Sequence, residues 1–600
     1  MSSGAGAVNG LIDGKGLAER LGVSPGTIRS WRSRGVSWLP EPTGRLDGLV
    51  WQEADVARIL EQMPSPHFRT PVEVPAVRAD RLIDLSARKA RGAYFTPKDA
   101  AHFMAKWIVR TPGETYIEPS LGDGIFVESV KDVIDSAGFE RPRWIVSELD
   151  EATAYAAVER GLVSKTELRV GDYLTQPVAT ADAVIANPPF VRLRHLSQES
   201  RQAALSATER YLGKPMALKG SIWMPFVAKM VASVKEGGRM AVVLPLDFTY
   251  VSYALALWEY LGESFSSVRV LRSRERIFPE ISQDVVIVLA DGRGGTTSEV
   301  SYEAYETLAD LVAQGTYTGG SVRISSVLAG ERAFQRALLP DGLAELLEAG
   351  QSAGWMAPAS SLAKFRIGYV SGNKKFFHPS VETVTEYDLP SSSLLPALVN
   401  SKKLRGQGVR TSGMNSQLAD RLWTPGEELT VGESAYISYG ERLGVQNGYK
   451  ASSRTPWFRV PMVDTPDAII TVFSERPLVL VNDGAWVPTN SFLCAYTRSG
   501  SAEEFAAAWY SPLSLLSVEL EVHSLGGGVV IMVPNEASRV RVLNPEIGLG
   551  SLDRVDEALR RGDISAAYAA GESQLAEYVG VDGLDLVRQG AEVLSRWRTK

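Results

Sequence analysis

The sequence is poor in residues that build covalent or metal-held sites. One cysteine, Cys494, stands among 600 residues, which excludes an internal disulfide and any cysteine-rich zinc site. Five histidines are scattered with no His-Glu-x-x-His pair, so no metal is expected. No apolar run reaches the length of a membrane span, and Met1-Ser-Ser-Gly-Ala-Gly6 lacks the basic and apolar regions of a signal peptide. A cytoplasmic protein without membrane contact is expected. Excess positive charge is also missing, since the formal net charge is −7. Lys and Arg nevertheless gather at Arg88-Lys89-Ala-Arg91, Arg192-Leu-Arg194-His195, Lys364-Phe-Arg366, Lys374-Lys375 and Lys402-Lys403-Leu-Arg405. Local clusters of this kind can bind phosphates on an acidic protein, although each is more often a solvated face.

What is present is the composition of a globular protein, 44% hydrophobic and 22% charged. A chain this long exceeds one hydrophobic core, and two to four domains are expected, as a rough count. One stretch organises the rest: Ala183-Val-Ile-Ala-Asn187-Pro188-Pro189-Phe190. The small and apolar residues read as a buried strand. Two consecutive prolines have no N–H to continue a ladder, so the strand must stop there. Ligands sit at that carboxyl edge in open α/β sheets. The Asn187 side-chain oxygen and the Pro188 carbonyl can accept hydrogen bonds from a planar exocyclic amine, while Phe190 offers a stacking face. Holding an amine in this way favours positive charge on its nitrogen during attack. A surface turn with Phe190 capping the core is the plainer alternative.

The flanking pattern alternates strand and helix from Thr115 onward, giving an α/β fold with a largely parallel sheet of about seven strands. Expected strands are Tyr116-Ile117, Arg143–Ser147, Leu168–Val170, the strand ending at Asn187, Gly238–Pro245, Val268–Leu271 and Asp284–Leu289. The last two are expected to pair antiparallel at the edge. Helices are expected over Lys98–Val109, from Ile125 to about Ala137, and from Ser221 to about Lys235. The loops after the strands carry a consistent set. Glu118 precedes a turn with Gly122 and Gly124, which allows close backbone approach of a ligand. Glu148 ends the second strand, where an acid can take both hydroxyls of a ribose. Asp172 ends the third, placed to accept from an adenine amino group, with Tyr173 beside it for packing.

Tyr94-Phe-Thr96-Pro97, Glu118-Pro-Ser-Leu-Gly-Asp-Gly124, Glu148-Leu-Asp150, Asp172-Tyr173 and Asn187-Pro-Pro-Phe190, in that order, resemble the gamma group of adenine-N6 DNA methyltransferases. The resemblance covers residues 85 to 300. It implies a Rossmann-like methyltransferase sheet and S-adenosylmethionine as methyl donor. Tyr94, Thr96, Glu118, Gly122, Gly124, Glu148, Asp172 and Tyr173 would form the cofactor site, with Thr96 and Glu118 near the methionine moiety. Asn187, Pro188, Pro189 and Phe190 would be catalytic, and the target adenine would be flipped out of duplex DNA onto Phe190. Phe278, in Arg276-Ile-Phe-Pro279, matches the group's second aromatic against the flipped base. The departures are Pro-Ser-Leu where Pro-Ala-Cys is usual, and Phe190 where Tyr is commoner.

Outside this core, residues 1–62 resemble the winged helix-turn-helix of excisionase- and MerR-like proteins. Gly16–Ser24 would be the first helix, and Ser24-Pro-Gly-Thr-Ile-Arg29-Ser-Trp-Arg32 would begin the second, which carries the DNA-binding candidates. The stretch from Arg34 to Trp51 could supply a wing, with a further helix over Trp51–Arg58. Residues 63–80, with four prolines, read as a linker, and 81–300 as the catalytic domain. Residues 301–355 read as a connecting region and 356–550 as a mixed α+β target recognition domain. Residues 551–600 read as a helical segment packing back on that domain. Lys374, Lys375, Lys402 and Lys403 are further candidates for phosphate contact. The expected enzyme acts on double-stranded DNA, with a monomer favoured, in a restriction-modification or related defence system. A separately encoded endonuclease would do any cutting, since no PD-(D/E)xK pattern is evident. Cytosine-N4 methylation and a DNA-binding regulator with a degenerate methyltransferase domain are the alternatives.

Overall fold

A computed structural model describes residues 11–13, 44–46, 48–52, 96–278, 283–414, 420–524 and 528–599. The chain divides into two units, Met1–Ser86 and Ala87–Lys600. In the first, strands Leu11–Asp13, Gly44–Leu46 and Gly48–Gln52 form an antiparallel sheet with the last strand in the middle. The hairpin falls within the stretch expected to supply a wing. Trp51 and Gln52 lie in its second strand, so a helix does not start at Trp51 as the sequence suggested. The expected helices, with Arg29 and Arg32, lie outside the described residues.

The second unit is built on one nine-stranded sheet. Its strands are β1 (Thr115–Glu118), β2 (Arg143–Glu148), β3 (Leu168–Val170), β4 (Ala181–Ala186), β5 (Val234–Pro245), β6 (Phe265–Ser273), β7 (Val285–Arg293), β8 (Glu299–Tyr305) and β9 (Thr318–Arg323). They lie in the order β9-β8-β6-β7-β5-β4-β1-β2-β3. Strands β3, β2, β1, β4 and β5 run parallel, and β7 is inserted antiparallel between β5 and β6. The sheet thus exceeds the expected seven strands. Strands β8 and β9 come from 299–323, which falls largely in the region read as a connector, and they make β6–β7 an internal pair. Thr318-Gly-Gly-Ser-Val-Arg323 is mostly exposed, and an edge strand of this kind has no apolar alternation to betray it.

Both faces of the sheet are covered. Along β4, Ala183 and Ile185 belong to one hydrophobic cluster, Val184 and Ala186 to the other. Along β5 the same split separates Ala241 and Val243 from Met240, Val242 and Leu244. Successive side chains of a strand point to opposite faces, so a strand buried on both sides reads as a continuous apolar run. The first face is covered by α1 (Lys98–Ile108) and α2 (Ile125–Ala137), through Phe103, Met104, Phe126 and Val127. The helices Trp223–Ser233 and Leu255–Gly262 cover the second.

That second core also takes in Leu516 of helix Pro512–Glu521 and Leu584, Val587, Leu594 and Trp597 of the kinked helix Glu572–Arg598. The Arg272 guanidinium of β6 sits 5.0 Å from the Trp597 ring and donates to the Trp597 carbonyl at 2.9 Å. The C-terminal segment therefore packs on the catalytic sheet, and not only on the region before it. The described residues within 356–550 hold four small sheets and intervening helices, a mixed α+β arrangement.

Candidate active site at the carboxyl edge of the sheet

Strand order reverses between β1 and β4, and the loops after these two strands lie at their carboxyl ends, the crevice position at which α/β sheets bind ligands. Asn187 follows β4 and is half-buried. Its side-chain Nδ2 donates to the Thr96 hydroxyl at 3.2 Å, and its carbonyl accepts from the Ser120 hydroxyl at 3.2 Å. Pro188 is buried. Phe190 is partly exposed and packs against both cores of the sheet.

Glu118 ends β1 and is 1% exposed. Burial, with Asp123 and Glu148 nearby, raises its carboxyl well above the usual range. Among the described residues, its Oε2 has no hydrogen-bond partner. The loop that follows reaches αR's mirror region at Gly122, φ 57°, where a Cβ would meet nothing within 4 Å. That glycine lets the chain turn beside open space. Glu148 ties two loops together, since one oxygen accepts from the Gly122 N–H at 3.0 Å and the other from the Asp150 N–H at 2.9 Å. A carboxylate has about four lone-pair sites, so two remain for a ligand hydroxyl. Asp172 accepts from the Leu174 N–H at 2.9 Å, and burial raises its carboxyl too.

The family model for N-6 DNA Methylase matches residues 84–253, and that for the C-terminal domain of type II methyltransferase M.Eco57I matches residues 331–576. The chain is a DNA methyltransferase, with an N-6 DNA methylase domain over residues 84–253. It is similar to type II methyltransferase M.AccI of Acinetobacter calcoaceticus, 20% identical over 509 residues, or 79% of this chain and 88% of that one. It is also similar to M.HincII of Haemophilus influenzae, 23% identical over 219 residues, which cover 34% of this chain and 38% of that one. The solved type IIG restriction endonuclease BpuSI aligns at a TM-score of 0.39 and 14% identity, over 98% of this chain and 76% of that one.

S-adenosylmethionine is the methyl donor of this family, and the methyltransferase fits it. The buried Glu118 oxygen is unpartnered among the described residues, and its carboxyl is kept from ionising until a counter-charge arrives, which suits a ligand bearing an ammonium group. Open space in front of Gly122 leaves room for its approach.

Not every expected site residue faces this crevice. Tyr173 is turned into the core, its ring 5.2 Å from Phe226 and its hydroxyl 3.5 Å from Ser233 Oγ. The tyrosine body is better hidden than shared with a ligand, so it supports the Asp172 loop from behind. Phe278 is 5% exposed, within the core that also holds Ile277 and Val285. Phe190 packs against that same core. Lys403 is engaged by Asp420 at 2.8 Å and so is no open phosphate contact, whereas Lys374, Lys375 and Lys402 are exposed. Tyr94 lies outside the described residues.

Two residues escaped the sequence reading. Lys229 is 1% exposed and donates to the Tyr173 carbonyl and, at 2.5 Å, to the Gln176 carbonyl, fastening the loop that bears Asp172. Burial pushes its ammonium down to about 8. The available signal was its isolation, as the one charge between Ser221 and Val234. Ser120 drew notice only as a departure from the usual Ala, although its hydroxyl reaches Asn187.

Proposed function

We propose that the methyltransferase modifies adenine N6 within one specific sequence of duplex DNA, as the modification enzyme of a restriction-modification system whose endonuclease is encoded separately. The observation that carries this reading is the end of β4, where Asn187 is held at the point of strand-order reversal beside the acidic crevice of Glu118. Glu118 would hold the cofactor's ammonium, Glu148 its ribose and Asp172 its adenine, and the cofactor would supply an electrophilic methyl group. The target adenine would leave the duplex to reach the crevice and stack on Phe190. The Asn187 side-chain oxygen and the Pro188 carbonyl would accept from its N6 amine, drawing lone-pair density out of the ring and towards the methyl group. The nitrogen so held would be presented to the methyl group that the cofactor supplies, and its N–H proton would pass to water during or after transfer. No general base of matched pKa is required, because positioning supplies most of the rate.

The test is direct. Purified protein is incubated with labelled S-adenosylmethionine and DNA from a methylation-free host, and the DNA is digested to nucleosides. Label in N6-methyldeoxyadenosine is the expected result. Label in N4-methyldeoxycytidine would overturn the choice of base, and no label in any nucleoside would overturn the reaction.

A further inference from the structure

We propose that Thr96 and Ser120 are positioning residues that clamp Asn187 in the register methyl transfer needs. The proposal rests on the reading that Asn187 receives the target amine, and it adds what holds that amide in place. Asn187 stands where strand gives way to loop. The β1–β4 register ends at Ile117–Val184 and the β4–β5 register at Ala186–Val242, and Pro188 and Pro189 follow. Placement matters for a reacting group, since a displacement of about 1 Å can cost about 100-fold in rate.

Two hydroxyls from two different elements hold it there. Thr96, 5% exposed and placed just before α1, accepts from the Asn187 Nδ2 at 3.2 Å. Ser120, in the loop after β1, donates to the Asn187 carbonyl at 3.2 Å. One contact fixes the plane of the side-chain amide and which of its ends turns to Thr96; the other fixes the backbone beneath it. Neither hydroxyl has the commoner task of capping a helix. The N-cap of α1 is Pro97 and that of α2 is Gly124, with no side-chain cap bond at either. Thr96 matches a motif that the family resemblance places beside the cofactor, so the experiment must separate the two roles.

Wild type, Thr96→Val, Thr96→Ser, Ser120→Ala and Asn187→Ala are compared in single-turnover transfer from labelled S-adenosylmethionine to DNA of a methylation-free host, with enzyme in excess. Affinity for S-adenosylhomocysteine is measured by calorimetry on the same preparations, and the melting temperature checks folding. Thr96→Val is expected to slow transfer by about 10- to 100-fold while product affinity stays within about threefold. Thr96→Ser restores the hydroxyl and is expected within about threefold of wild type, and Ser120→Ala to slow transfer by about threefold. Transfer at wild-type rate in Thr96→Val would overturn the clamp, as would a Thr96→Ser variant no faster than Thr96→Val. So would a loss of product affinity in step with rate, which would make Thr96 a cofactor ligand alone. Wild-type transfer by Asn187→Ala would instead defeat the reading of Asn187 itself.

Discussion

Strands β1 to β4 and strands β6 to β9 belong to one hydrogen-bonded sheet, yet their ends carry different things. The parallel strands deliver Glu118, Glu148, Asp172 and Asn187 to a common edge. The other half delivers anchors. Arg274, just past β6, pairs with Glu306 at 2.6 Å, and Glu306 also takes Arg596 of the last helix at 2.7 Å, while Arg272 stacks over Trp597. Position along the edge, and not direction, makes the division. Strands β6 and β8 run the same way as β1 to β5, because β7 is antiparallel to both β5 and β6. The reversed β7 sets their carboxyl ends apart from those of β1 to β4, and there they hold the C-terminal segment.

The comparison breaks if chemistry and anchoring prove inseparable. The largest expected effect is that of Asn187→Ala, with transfer falling by about 100- to 1,000-fold and the melting temperature unchanged. Next is Trp597→Ala. A Trp 4% exposed in the shared core should cost about 3–5 kcal/mol of stability on truncation. Chemical denaturation would read that loss, and transfer per folded molecule should stay at the wild-type value. A catalytic defect without a stability loss would place the C-terminal helix in the site.

Glu118→Gln sharpens the contrast from the chemical side. Product affinity should fall by about tenfold to 100-fold, the loss of one charge-assisted contact. The cofactor-free variant should also be less sensitive to pH. The folded-state carboxyl is raised by burial and by its acidic neighbours, so the native protein holds a proton that the unfolded chain releases above the ordinary Glu range. Stability of the wild type therefore falls as pH rises through that interval, and the slope should flatten in the variant. The smallest effect is expected at Lys229. Its folded pKa is lowered to about 8, so between about pH 8 and the ordinary lysine range the unfolded chain binds more protons. Stability relative to Lys229→Met should rise with pH across that window, as thermal melts at about pH 8 and about pH 9.5, both within it, would show.

Much of this edge was legible in the sequence, and the reason is local. Helix α2 runs from Ile125 to Ala137, where the apolar spacing placed it, and Gly138 closes it in the left-handed region at φ 67°. Strand β4 stops where two prolines leave no N–H to pair. Legibility failed wherever a residue's place depends on a distant partner. Tyr173 looked like a ligand contact beside Asp172, but the ammonium of Lys229, 56 positions later, draws the loop so that the ring points inward. Thr96 and Asn187 are 91 positions apart, and no spacing rule joins them. Strand β9 is polar and rich in glycine, so only its pairing with β8 identifies it.

The measurement that bears most directly on the central claim is long-read modification sequencing of a methylation-free host expressing the protein, with the Asn187→Ala form expressed in parallel. N6-methyladenine at one recurring motif, absent from the Asn187→Ala host, is the predicted result. An unmodified genome in the wild-type host, or the same motif modified in both hosts, would contradict the account.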